Sequence, residues 1–150
     1  MNNDVKKIED RLKDLVTKNE DAVIGFEKAA ENANAAGIQS YFSKKAEERK
    51  IFLKTLRNAA QDLDLGDKEI DGSTAGAAHR AWMDVKAFFS GDNDEAMLEE
   101  AVRGDKSAID EYNDVLAETH VPHRLKEIIR EQRDAIQNDM ETSEILEDHR

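Results

Sequence analysis

Apolar residues recur at steps of three and four along almost the whole chain, a spacing that admits little besides packed α-helices. The first run is Val5, Ile8, Leu12, Leu15, Ala22, Phe26, Ala29 and Ala33, with Asn3 placed to cap its start. Gly37 then ends the helix in a tight turn, and the stripe resumes at Ile38, Phe42, Ala46, Phe52 or Leu53, Leu56, Ala60 and Leu63. Each run makes a helix of about 30 residues, or ~45 Å. Alone, either helix would leave its apolar stripe in water, so both must pack on others. Composition points the same way: one Pro and seven Gly in 150 residues leave few places to break a helix.

The pattern lapses from Asp64 to Thr74, a loop rich in Gly and Asp, with Ser73 or Thr74 capping the next helix. That shorter helix carries Ala78, Trp82, Val85 and Phe89 and stops at Ser90-Gly91. Asp92-Asn93-Asp94-Glu95 reads as a capping box, Asp92 the cap and Glu95 its reciprocal partner. The helix it opens bears Leu98, Ala101 or Val102, Ile109, Tyr112 and Leu116. Pro122, in the first turn of the last helix, costs little there. That helix shows Leu125, Ile128, Ile129, Ala135, Ile136, Met140 and Leu146. The predicted helices span about 4–34, 38–63, 75–89, 93–118 and 122–147, in one all-α domain over 1–150. Two long hairpins joined by so long a crossover favour a ferritin-like four-helix bundle. A plain antiparallel bundle with a fifth helix packed outside is the other arrangement.

Charge and composition exclude several functions. Asp and Glu number 34 against 22 Lys and Arg, a net charge of −12, which opposes nucleic-acid binding. Lys6, Lys7, Lys13 and Lys18 are interleaved with Glu9, Asp10, Asp14 and Glu20, as on a solvated helix face. Zero Cys removes disulfides, thiolate metal sites and Cys nucleophiles. No stretch reaches the ~20 apolar residues of a membrane span, and no apolar run opens the chain. A cytoplasmic protein is expected.

Three segments carry a resemblance. Asn19-Glu20-Asp21-Ala22-Val23-Ile24-Gly25-Phe26-Glu27-Lys28-Ala29-Ala30 is similar to the first helix of an uncharacterised bacterial ferritin-like family of four-helix-bundle proteins. Gly76-Ala77-Ala78-His79-Arg80-Ala81-Trp82 resembles that family's His-Arg-x-Trp crossover helix. Arg103-Gly104-Asp105-Lys106, with Tyr112 further along, resembles its Arg-Gly-Glu-Asp box, with Asp and Lys standing where Glu and Asp are usual. The resemblance implies a fold and little chemistry.

The wider ferritin-like class raises a di-iron or di-manganese site, which needs Glu-x-x-His on two helices. Three residues before His79, His120, His123 and His149 stand Gly76, Ala117, His120 and Leu146, so the motif is absent. His120 and His123 share the spacing but straddle the turn before Pro122. The seams hold something else: Asn19, Arg49, Asp105 and Gln132 occupy core phase near their helix midpoints. We expect Arg49 and Asp105 to form a buried ion pair whose hydrogen bonds Asn19 and Gln132 complete. Such a guanidinium would repel a divalent cation. Gly104 fits close approach of a neighbouring helix. The alternative is that these residues fall in phase by chance and Arg49 snorkels outward.

Glu20, Glu47, Glu48 and Glu100 flank the seam as surface residues. No nucleophile elbow or Gly-rich phosphate loop is present. Trp82, Phe88 and Phe89 are expected to clamp the crossover helix to the bundle, any exposed remainder serving as a homodimer contact. Two functions are compatible with these features. One is a non-catalytic, stress-associated structural or interaction module that binds an unidentified protein partner, takes no cofactor or metal, and carries a polar layer in place of a dimetal centre. The other is an iron- or manganese-binding oxidase or iron-handling protein with a carboxylate-only site.

Overall fold

The computed structural model describes residues 2–62 and 94–148. They form four helices and no strand: α1 (Asn2–Asn32), α2 (Ala36–Asp62), α3 (Asp94–Leu116) and α4 (His123–Asp148). The expected helix over 75–89, its Ser73 or Thr74 cap, Trp82, Phe88, Phe89 and the Asp92 cap lie outside the described residues. None of the described helices is long and apolar enough to cross a membrane.

Residues 33–35 join α1 to α2, and residues 117–122 join α3 to α4. Connections this short make antiparallel hairpins. Ion pairs fix how the hairpins meet. Lys7 reaches Glu118 while Lys18 reaches Glu111 and Ser107, so α1 and α3 run oppositely. Tyr41 meets Asp139 while Gln132 meets Phe52, so α2 and α4 do too. With α1 pointing up, the order is up, down, down, up. The end of α2 and the start of α3 therefore lie at opposite ends of the bundle.

Two of the expected helix signals play other parts. Gly37 does not end α1; it sits in the first turn of α2, with none of the described residues within 4 Å of where a Cβ would stand. The preceding turn is held from outside instead. Asp94, the first residue of α3 and 1% exposed, accepts the backbone N–H groups of Asn34 (2.8 Å) and Ala35 (2.9 Å). Its carboxylate satisfies donors at a helix end, so the turn needs no left-handed glycine. Pro122 precedes α4, its carbonyl taking the N–H of Lys126 at 3.0 Å.

The interior divides into two apolar clusters. One gathers Ile8, Leu12, Leu15, Leu56, Val115, Leu125 and Ile129. The other gathers Phe26, Ala29, Ile38, Phe42, Met97, Leu98 and Ala101 at the end where Asp94 sits. Between them the helix seams turn polar.

Candidate functional site

Asn19, Arg49, Asp105 and Gln132 are all buried, at 0%, 1%, 1% and 4% exposure. Arg49 therefore does not snorkel. Its Nη2 donates to Asp105 Oδ1 at 2.6 Å, while Lys45 Nζ donates to Asp105 Oδ2 at 2.6 Å. Lys45 is only 2% exposed. One carboxylate thus carries two buried cations, a charge-assisted arrangement of the strong kind.

Aromatic faces complete the surroundings. Lys45 Nζ lies 4.6 Å from the Phe26 ring centroid and 5.6 Å from that of Tyr41. Arg49 Cζ lies 5.5 Å from Phe26 and 5.9 Å from Phe52. Ring quadrupoles stabilise cations that have lost their water.

Asn19 and Gln132 do not complete the hydrogen bonds of the ion pair. Both turn to Tyr112: Asn19 Nδ2 donates to its hydroxyl at 2.8 Å, and that hydroxyl donates to Gln132 Oε1 at 2.6 Å. Asn19 Nδ2 also reaches the Leu15 carbonyl at 2.9 Å, and Gln132 Nε2 the Phe52 carbonyl at 3.3 Å. The reason is helical pitch. Tyr112 stands two turns beyond Asp105, roughly 10 Å along the axis, and its long side chain bridges α1 and α4 at that level. Burial pushes the Tyr112 hydroxyl up to about 12, so it stays a donor. The interior therefore holds two stacked polar levels, one ionic and one neutral.

A third group sits between α2 and α4. Glu48, expected on the surface, is half-buried and shares a hydrogen bond with Asp139, which lies 3.8 Å from Lys45. Burial, then that bond, push the Glu48 carboxyl up to about 8. As a protonated acid it supplies the donor that two facing carboxylates would lack. Tyr41 donates to the Asp139 carbonyl at 2.9 Å and hydrogen-bonds Ser143, closing the α2–α4 contact.

The raised Glu48 pKa fixes the sign of a pH dependence. The folded chain holds this proton more tightly than the unfolded one, so the associated stability is complete below about pH 4.5 and is lost as pH rises through about 8. Asp21, pushed up to about 6 by burial, acts in the same direction at lower pH. Urea unfolding midpoints should fall across this range. Glu48→Gln should flatten the fall and exceed the parent above about pH 8. A parent profile rising with pH would contradict the assignment.

Other expectations fare differently. Glu20 is half-buried and pairs with Arg57 at 2.8 Å, Glu100 pairs with Arg103, and Glu47 is exposed. His123 is an exposed partner of Glu127 at 3.0 Å. Among the described residues Gly104 marks no close approach: it is exposed, and none of them lies within 4 Å of its would-be Cβ. Its seam neighbour Asp105 points inward, so Gly104, a third of a turn away, faces outward. Gly104→Ala should therefore stabilise the chain by about 1 kcal/mol, read as a higher thermal midpoint. Destabilisation would restore the packing explanation.

A dimetal centre of the kind found in the wider ferritin-like class does not fit this interior. Where facing helices would supply carboxylates and imidazoles, they supply an ammonium, a guanidinium, two amides and a phenol around the Asp105 carboxylate, with Glu48 and Asp139 set 3.8 Å from the two cations. Among the described residues, one group of three carboxylates is close enough to share an ion: Glu95, Glu99 and Glu147, within 4.8 Å of one another at a bundle end.

Comparison with curated proteins finds no match. A family model does match, over residues 7–118, which takes in α1, α2 and α3 with both cations and the carboxylate they share. The chain belongs to the family described as Domain of unknown function (DUF2383).

Proposed function

We propose that this protein is a non-catalytic, cytoplasmic, ferritin-like bundle that serves as a structural or interaction module, its centre occupied by its own cations rather than by metal ions. The observation that carries this reading is the double salt bridge of Lys45 and Arg49 on Asp105, both at 2.6 Å. A divalent ion about 5 Å from either cation would meet a repulsion of about 7 kcal/mol at an effective dielectric constant near 20. The buried carboxylate at this level, Asp105, is already shared by two donors. The up, down, down, up order supports the ferritin-like part, because that order needs one long crossover.

Elemental analysis of protein purified without chelators, together with a ferrous-oxidation assay, tests the proposal. Substoichiometric metal and no oxidation above the buffer rate are expected. One or two iron or manganese ions per chain would overturn it.

The second reading, an iron- or manganese-handling bundle, has one observation in its favour, the Glu95, Glu99 and Glu147 cluster. Glu95 and Glu99 are exposed there, and so open a position gives little of the enclosure that tunes a reactive metal. If metal is found, its loss in Glu95→Gln/Glu99→Gln would place it at that end.

A further inference from the structure

A pocket of about 250 Å³ opens between α1 and α3, with Arg49 and Asp105 of the ionic level in its lining. Its walls are mostly apolar, formed by Ala22, Phe26, Ala101 and Ala108, with Gly104 at the rim. The volume is just below the ~300–1,000 Å³ of sites for drug-sized molecules, which fits a compact ligand.

The charges around it are unevenly satisfied. Lys18 is held by Ser107 Oγ at 3.0 Å and Glu111 at 3.3 Å. Arg103 pairs with Glu100, and Arg49 pairs with Asp105 at 2.6 Å. Every cation lining the pocket is committed. Asp21 is the acid left over: it also lines the pocket, makes no ion pair or hydrogen bond among the described residues, and its Oδ1 is buried without a donor. A buried carboxylate oxygen without a partner is costly, and an ammonium is the group that relieves it. The net charge of −12 draws cations toward the chain.

Gly104 supplies the second observation. A mid-helix glycine weakens α3, and among the described residues no neighbouring helix approaches it. What its missing side chain leaves clear is the mouth of this pocket.

We propose that the pocket binds a small organic amine, its ammonium on Asp21 and its apolar body against Ala22, Phe26, Ala101 and Ala108, entering past Gly104. The proposal does not depend on whether the bundle is catalytic, and metal content leaves it untouched.

Titration of the full chain with benzylamine at neutral pH, monitored by amide NMR, is the test, with benzyl alcohol and benzoate as probes of the same size. Benzylamine should give saturable shifts confined to the α1 and α3 segments around Asp21 and Gly104. Benzyl alcohol and benzoate should bind at least about tenfold more weakly. Asp21→Asn and Gly104→Leu should each weaken benzylamine by about tenfold or more. The first keeps the shape and removes the charge; the second keeps the charge and fills the mouth. Both replace residues whose native form is locally unfavourable, so the fold should survive, as thermal unfolding will show. No saturable shift with benzylamine, equal binding of benzyl alcohol or benzoate, or undiminished binding by both variants would overturn the proposal.

Discussion

Asp105→Asn should cost about 3–5 kcal/mol of folding stability, because it removes the charge that two buried cations share at 2.6 Å and leaves them only acids 3.8 Å away. Arg49→Met should cost less, about 1–3 kcal/mol, since Lys45 still neutralises the carboxylate at 2.6 Å. The asymmetry is specific to a shared anion; an isolated Arg–Asp pair would give similar losses from either side. In the double variant, Arg49→Met removes a charge that Asp105→Asn had already orphaned. The combined loss should therefore fall short of the sum by about 1–3 kcal/mol. Urea unfolding of the three variants measures all of this. Additive losses, or a larger loss from Arg49→Met, would refute the shared arrangement.

Asp94→Ala should cost about 2–4 kcal/mol. The carboxylate takes two backbone N–H groups from the α1–α2 turn, at 2.8 and 2.9 Å, and alanine leaves both without that acceptor. Asp94→Asn, which keeps one acceptor oxygen, should lose roughly half as much. The damage should also be local: amide exchange at Asn34 and Ala35 should accelerate more than exchange near Leu12 or Leu125. Unchanged exchange at the turn would show that the contact does not hold it.

These two sites mark how far the sequence is legible. Arg49 and Asp105 stand out because each interrupts an otherwise apolar seam near the middle of its helix, and helical phase alone directs them inward. Lys45 is harder to see, since Ala46 beside it satisfies the seam. Its signal is the spacing Phe42, Lys45, Arg49, Phe52, which puts both cations on one face between aromatics. Tyr112 reads as one more apolar residue until a partner for its hydroxyl is asked for. Asp94 carries no such signal: its partners lie about 60 residues away, and only assembly of the hairpins reveals them. Both glycines mislead for a common reason. A glycine in a helix announces a cost but not its cause, and turn, close approach and open rim all look alike in one dimension.

The two polar levels also limit how the bundle can move. Sliding one hairpin past the other by a single turn would carry Asp105 about 5 Å along the axis and leave Lys45 and Arg49 facing aliphatic side chains. Tyr112 would leave Asn19, and Gln132 the Phe52 carbonyl, in the same stroke. The levels act as a detent: longitudinal slippage is opposed at both heights together.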